Sequence, residues 1–267
     1  MAAHFEKNTF AKRLKSMLKV DFRRMFTSPL FYIMVFSSLI IPILILVMTT
    51  MLEGTVDPQT GQPSTMEGFK NVWQIIGAIS GGEGAGMMNM DITSMCNINM
   101  MFFLIAIFVC VFVSDDFRSG YCKNLFTVRA KKDDYIISKS ITSFVAGSTM
   151  LIAFFIGAML GGAIAGLPFT LEGVSAFNIV MSMLTKIFLV AIFVSIYLLA
   201  SVVAKEKLWL SLLISFGVGM LFFTMIPIIS PLNAGILNMI LSLVGSGLFS
   251  VGIGIGSYFI LKKISLI

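Results

Sequence analysis

Long apolar runs alternate with short polar segments along this chain. Six such runs lie at about 30–52, 98–113, 140–165, 179–204, 208–226 and 236–261. A helix needs about 20 predominantly apolar residues to cross the hydrocarbon core of a bilayer. The pattern therefore predicts an all-α membrane protein whose domain at residues 30–267 contains six transmembrane helices.

The composition agrees with this fold class and excludes several others. Of the 267 residues, 57% are hydrophobic and only 12% are charged, whereas soluble domains have about 25% charged residues. The net charge of +6 is spread over separate segments, so nucleic acid is not an expected partner. The three cysteines show no metal-ligand spacing, and the only histidine is His4. We therefore expect no metal site.

Lysine and arginine are distributed unequally between the segments that join the apolar runs. Seventeen of the 19 lie in residues 1–29, 114–139, 205–207 and the C-terminus, whereas the loop at 53–97 contains only Lys70. Positive residues are retained on the cytoplasmic side of membrane proteins. Both termini and the 114–139 segment are therefore predicted to be cytoplasmic, and the acidic 53–97 loop is predicted to lie outside.

Residues 1–29 combine seven basic side chains with apolar residues at steps of three and four. This spacing predicts a basic amphipathic helix that lies in the headgroup region with its apolar face toward lipid. The alternative is an ordinary solvated N-terminal helix. The apolar face consists of Phe10, Leu14, Met17, Leu18, Phe22 and Met25.

The segment 114–139 is the most highly charged connection between two apolar runs, with six basic and four acidic residues. Each charge at the centre of a bilayer costs about 2.5–3.5 kcal/mol on insertion scales, so the segment should lie in water. Its apolar residues have the spacing of one helical face. The pattern predicts a short cytoplasmic helix on which another protein docks.

Lys186 and the small residues of the third span are the other notable features of the apolar runs. We expect Lys186, about two turns inside the fourth span, to extend its amine to the outer headgroups. The alternative is that it faces an internal pathway. Gly157 and Gly161 have the spacing that lets helix backbones approach closely.

Motifs of catalysis are missing from the sequence. There is no Walker A motif, no H-E-x-x-H and no G-x-S-x-G, and no carboxylate lies in the middle of a predicted span. The chain is therefore not expected to be an enzyme or to bind a cofactor of its own.

The segment D-F-R-S-G-Y-x-K-N-L, followed by D-Y-x-x-S-K, resembles the membrane subunit of type-2 ABC exporters. The resemblance implies a coupling helix between spans two and three, with Asp116, Gly120, Leu125 and Lys139 at recurring positions. The sequence departs from the family after Phe126, where a proline is frequent. The residues that the resemblance assigns to ATPase coupling are Asp116, Phe117, Arg118, Gly120, Tyr121, Lys123, Leu125, Phe126, Arg129 and Lys139.

The same resemblance implies the partners and the activity. Two copies of a separate ABC ATPase would supply ATP and Mg²⁺, and a second permease, identical or paralogous, would complete the complex in a bacterial plasma membrane. Exporters of this size include those of amphipathic toxin peptides, such as the phenol-soluble-modulin exporters. Export of drugs, other amphiphiles or sodium is the alternative for transport, and a non-transporting scaffold or sensor is the alternative of another class.

Overall fold

The computed structural model describes residues 10–52, 69–77, 96–128, 131–223 and 225–263. Short 3-10 turns at Val72–Ile75 and Ile98–Met100 lie between the second and third helices. The α-helices are α1 (Phe10–Thr27), α2 (Pro29–Leu52), α3 (Met101–Arg118), α4 (Tyr121–Val128), α5 (Lys132–Ala165), α6 (Ala176–Ala204), α7 (Leu208–Phe223), α8 (Ile226–Ile229) and α9 (Ile236–Lys263).

Six of these helices correspond to the predicted spans. Within the described residues α2, α3, α5, α6 and α9 are long and apolar enough to cross a membrane. Helix α7 is equally apolar, but its 16 residues extend only about 24 Å at 1.5 Å per residue. The nearly all-helical fold is confirmed in the described residues, with five to six helices that could span a membrane, and the orientation of the termini stays a prediction.

Helix α5 begins eight residues earlier than the hydropathy pattern predicts. It starts at Lys132, with Asp133 and Asp134 in its first turn, where negative charge interacts favourably with the helix dipole. Its 34 residues extend about 51 Å, whereas the hydrocarbon core is about 30 Å thick. The first turns of α5 can therefore project beyond the hydrocarbon while belonging to the same helix.

Two glycines of α5 allow close contact with α2, as the sequence predicts. A Cβ atom added at Gly157 would lie 2.1 Å from the carbonyl oxygen of Leu39, and one at Gly161 would lie 2.7 Å from the Cα of Ile43. Even a methyl group would therefore separate the two backbones. The spacing of four residues puts both glycines on the face of α5 that contacts α2.

The segment at residues 69–77 packs on the loop between α5 and α6. Trp73 Nε1 donates to the Phe169 carbonyl at 2.6 Å, and Asn71 Nδ2 donates to the Thr170 carbonyl at 2.7 Å. The helical part of the described segment 69–77 is the single turn Val72–Ile75.

Candidate functional site

Helix α1 contains a stripe of inward-facing side chains spaced four residues apart. Met17, Asp21 and Met25 are all buried in the chain. The expectation that the whole apolar face of α1 is turned to lipid is therefore wrong for the two methionines, because that face packs on α5. Phe10 is exposed, whereas Leu14, Leu18 and Phe22 are half-buried at the edges of the contact.

Asp21 meets charges from two other helices. Lys139 Nζ of α5 lies 2.8 Å from Asp21 Oδ1 and 2.8 Å from Asp116 Oδ2 of α3. Arg24 Nη1, one turn after Asp21 on α1, lies 2.5 Å from Asp116 Oδ1. These four side chains, Asp21, Arg24, Asp116 and Lys139, form an ionic quartet that joins the ends of three helices.

Hydroxyl groups from the first turns of α5 donate hydrogen bonds to both carboxylates. Tyr135 OH donates to Asp116 Oδ2 at 3.0 Å, and Ser138 Oγ donates to Asp21 Oδ2 at 2.5 Å. Both donors lie within four residues of Lys139 in the sequence. One face of α5 therefore contacts the two carboxylates through a charge and two hydroxyl groups.

Aromatic rings cover the two cations of the quartet. Lys139 Nζ lies 3.9 Å from the centroid of the Phe112 ring, and Arg24 Cζ lies 4.4 Å from the centroid of the Tyr121 ring. A cation over a ring face is attracted by the ring quadrupole, most strongly where water is excluded. Tyr121 belongs to α4, so this contact links the short helix to α1.

The quartet is electrically balanced, with two positive and two negative side chains. Asp21, Asp116 and Lys139 are fully buried, and Arg24 is partly exposed. Desolvating a charge costs several kcal/mol, and removing one partner of a buried pair costs about 3–5 kcal/mol. The quartet therefore requires α1, α3 and α5 to stay together, because separating any one of them would leave an uncompensated buried charge.

A second pair ties α1 to α5 closer to the start of both helices. Arg13 Nε lies 2.8 Å from Oδ2 of the buried Asp134. Lys132, at the first residue of α5, donates to the Leu261 carbonyl of α9 at 2.7 Å. The charged end of α5 thus contacts both the N-terminal helix and the last span.

The pKa values of groups beside the quartet follow its charges. Burial alone would lower the pKa of Arg24, but the charge of Asp116 and the hydrogen bond to it outweigh burial and raise that pKa. Burial, assisted by the charge of Asp116, raises the pKa of the Cys122 thiol to about 12. Arg24 therefore stays charged and Cys122 stays a thiol at neutral pH.

Helix α4 follows α3 after a tight turn. Gly120 has φ +70, a left-handed conformation that glycine adopts without strain, and the chain reverses there. Lys123 is exposed on α4, while Leu125 and Phe126 are half-buried. The Phe126 ring packs edge-on against Tyr135, with centroids 5.6 Å apart. One side of α4 is thus held by α1 and α5, and the other side is open.

The residues expected to form the ATPase-coupling site fall into three groups. Arg118 and Lys123 are exposed, and Gly120, Tyr121, Leu125 and Phe126 are partly accessible. Asp116, Phe117 and Lys139 are buried. The expectation that the entire 114–139 segment lies in water is wrong for these three, because their interactions are made inside the chain. Arg129 lies outside the described residues.

Lys186 of α6 is also fully buried, which makes the expected extension to the headgroups wrong. Its Nζ donates to Ser230 Oγ at 2.6 Å and to the Ser230 carbonyl at 2.9 Å. Ser230 directly follows α8, so the bond fixes the connection between α7 and α9 against α6. The amine is directed into the protein because Ser230 offers it two acceptors there.

The sequence pattern does not distinguish Asp21, Arg24 and Arg13 as members of a site. In the sequence, Arg13 and Arg24 are two of seven positive charges in residues 1–29. One signal was present: Asp21 is the only acidic residue of α1 and lies between Met17 and Met25 at steps of four. An acidic residue in the middle of an apolar stripe needs a buried cation as its partner.

A protein-family profile matches most of the chain. The profile of the family described as ABC-2 family transporter protein matches residues 17–222. The matched region covers more than half of the chain and contains the quartet, α4 and Lys186. Searches of curated proteins and of solved structures find no match.

Proposed function

The chain belongs to the ABC-2 family of transporter proteins, and from this premise we propose that it is the permease subunit of an exporter of amphipathic peptides. The family is the membrane component of ABC transport, so ATP and Mg²⁺ bind to a separate ABC ATPase. Two ATPase copies and a second permease, identical or paralogous, complete the proposed assembly in a bacterial plasma membrane.

The geometry of α4 is the observation that carries this proposal. The helix has eight residues, lies between two spans, and leaves Lys123 and Thr127 exposed. Arg118 stands beside it with 60% of its side chain exposed. These exposed positive charges surround the half-buried Leu125. A partner could accept Leu125 in an apolar groove, and its acidic groups could pair with the charges and fix the orientation of the complex.

The buried side of α4 supports a route for mechanical coupling. Tyr121 stacks under Arg24 of α1, and Asp116, four residues before Gly120, holds both Arg24 and Lys139. A displacement of α4 by the ATPase would therefore act on α1 and α5 through buried charged contacts, and breaking these contacts costs several kcal/mol. In this proposal the quartet makes the three helices move as one body.

The outward face of α1 supports its proposed position at the membrane surface. Lys12, Lys15, Lys19 and Arg23 are all exposed and lie opposite the buried stripe. A basic helix face close to a bilayer is attracted to anionic headgroups by about 1 kcal/mol per Lys or Arg. We propose that this basic face, rather than the methionines, contacts the lipid headgroups.

The apolar surfaces of the spans support both a second permease and an amphipathic substrate. Helices α2 and α9 expose large side chains such as Phe36 and Leu248 along most of their length, and these need lipid or another subunit beside them. An apolar groove of about 300 Å³ lies between α6, α7 and α9, lined by residues that include Val203, Val218 and Phe249. Such a surface suits the apolar face of an amphipathic helix.

The test is to reconstitute the chain with the ABC ATPase that co-purifies with it and to measure peptide export and peptide-stimulated ATP hydrolysis. Lys123→Glu reverses an exposed charge on α4 and should reduce both rates about tenfold or more, by analogy with losses at charged interface pairs. The amount of folded permease should not change, because Lys123 is exposed.

Glu172→Lys is the matched control, since Glu172 is an exposed charge in the loop between α5 and α6. It should leave export and hydrolysis at native rates. Native activity in Lys123→Glu would refute docking through α4. A complex that hydrolyses ATP but moves drugs or sodium, and no peptide, would replace the proposed substrate.

A further inference from the structure

Lys186 lies about 15 Å along α6 from Ala176, counted at 1.5 Å per residue, and no part of it is exposed. Two of the three N–H groups of an ammonium are used by Ser230, through its hydroxyl at 2.6 Å and its carbonyl at 2.9 Å. A Cβ atom at Gly77 would lie 3.8 Å from Nζ. The amine is therefore enclosed by α6, by the segment after α8 and by the end of the 69–77 segment.

No carboxylate pairs with Lys186 among the residues that the structure describes. Its two contacts are both to Ser230, which is neutral. The buried Leu232 lies at the same place, since a Cβ atom at Gly77 would be 3.7 Å from its Cγ and 3.8 Å from Lys186 Nζ. Burying an ammonium without an opposite charge is strongly unfavourable, and two neutral acceptors compensate only part of the lost hydration. Within the described residues, the site thus has one positive charge and no negative charge.

Ser182 is a second buried polar residue in this part of α6. It lies one turn before Lys186 on the same face of α6 and is fully buried, yet its hydroxyl has no hydrogen-bond partner in the described part of the chain. Ser230 Oγ lies 3.5 Å from the Ser182 carbonyl, so the two serines are neighbours. Buried hydroxyls normally have partners. The ammonium, the Ser230 hydroxyl that it contacts and the buried Ser182 thus occupy neighbouring positions in one enclosed region.

We propose that Lys186, Ser182 and Ser230 form a binding site for a carboxylate of the transported amphiphile. A single carboxylate supplies the one missing charge, and its oxygens accept hydrogen bonds from the amine and from both hydroxyls. The carboxylate takes the place of the Ser230 carbonyl beside Nζ. This inference rests on the proposed function and adds to it that the preferred substrate presents a free carboxylate, such as the C-terminus of a peptide.

The experiment compares two forms of one synthetic amphipathic peptide that contains no Asp or Glu. One form ends in a free carboxylate and the other in an amide. Equilibrium binding to the permease–ATPase complex in nanodiscs is measured for both. The native complex should bind the carboxylate form about tenfold tighter, the effect of one charge-assisted hydrogen bond, and Lys186→Met should bind both forms equally.

Lys207→Met is the control, because Lys207 is an exposed lysine in the turn after α6; it should keep the native preference. Equal binding of the two peptides by the native complex would overturn the proposal and leave Lys186 as an anchor for Ser230. An equal preference in the native complex and in Lys186→Met would also overturn it.

A second measurement separates this site from the proposed peptide export. Propionate and propionamide are compared for their effect on the thermal unfolding of the full chain. If neither peptide is exported but propionate alone stabilises the native chain, and not Lys186→Met, the carboxylate site stands and peptide export fails. Equal effects of propionate on the native chain and on the variant would overturn the site whatever the substrate.

Discussion

Lys139 and Lys186 are both fully buried lysines in long apolar helices, but the groups around Lys139 are negatively charged and those around Lys186 are neutral. Lys139 has two carboxylates at 2.8 Å and an aromatic ring at 3.9 Å. Among the described residues, Lys186 has only the hydroxyl and carbonyl of Ser230 as partners. The first amine completes a neutral cluster at the charged end of the protein, whereas no described carboxylate balances the second.

The difference shows that burial alone does not assign a role to an ionisable side chain. A buried charge whose partner is also buried stabilises the arrangement of its helices, because each partner needs the other. A buried charge without a partner lowers stability. Ionisable residues within membrane spans are therefore rare, and those that occur usually have a function. Removing each lysine should therefore change stability by a different amount, and equal changes would contradict the comparison.

The largest effect is expected for Lys139→Met. This change leaves Asp21 and Asp116 buried with only Arg24 to balance them, and should lower the free energy of unfolding by about 3–5 kcal/mol. The measurement is reversible unfolding of the purified chain in mixed detergent micelles. Lys123→Met, at an exposed position, is the control and should stay within about 0.5 kcal/mol of the native chain. A loss below about 1 kcal/mol for Lys139→Met would contradict a structural quartet.

A smaller loss is expected when Asp21→Asn is combined with Lys139→Met. The remaining Arg24 and Asp116 still form a balanced pair, and asparagine still accepts the hydrogen bond of Ser138. The double variant should be more stable than Lys139→Met alone by about 1–3 kcal/mol, the range of coupling between contacting residues. The same unfolding assay measures it. Simple additivity of the two single changes would show that the charges do not act together.

Lys186→Met should change stability least, because it removes a charge that the described residues do not balance. The free energy of unfolding should stay within about 1 kcal/mol of the native value or rise, since methionine fills a similar volume without a desolvation cost. The contrast with Lys139→Met in one assay is the direct test of the comparison. A loss as large as that of Lys139→Met would mean that Lys186 has a buried countercharge.

The rate at which the Cys122 thiol reacts is a measure of its surroundings beside the quartet. Its pKa is raised from 9.0 to about 12, and the thiolate is the reactive form. Maleimide should therefore label Cys122 slower, by roughly a thousandfold, than a thiol introduced by Lys123→Cys, since each pKa unit lowers the thiolate fraction tenfold. Peptide mass spectrometry after timed labelling measures both rates.

Because the pKa of Cys122 is higher in the folded chain than in the unfolded one, its contribution to stability is complete below about pH 9 and is lost as the pH rises toward 12. The charge of Lys139 lowers the pKa of Cys122, so labelling of Cys122 should slow further in Lys139→Met and stay at the native rate in Lys186→Met. Slower labelling in both variants would mean that the two lysines belong to one coupled network.

The helical elements could be predicted because their signals are local. Apolar runs near 20 residues mark spans whatever lies elsewhere in the chain, and the spacing of Gly157 and Gly161 predicts a close helix contact. The start of α5 could not be placed by hydropathy, because its first two turns are charged and the charges are compensated by α1 and α3. The short helix α4 could be predicted between two spans. Its contacts with α1 and α5 could not, because they depend on residues distant in the sequence.

The sequence by itself determined that this chain enters a membrane, with α1 and α4 as its charged helices, since insertion depends on the summed hydropathy of each segment. Only the tertiary structure decided that Asp21 meets Lys139, 118 positions away, and that no acidic side chain in the described residues meets Lys186. Pairing energies depend on distance in space, and one sequence carries no measure of which distant charges will come within 3 Å of each other.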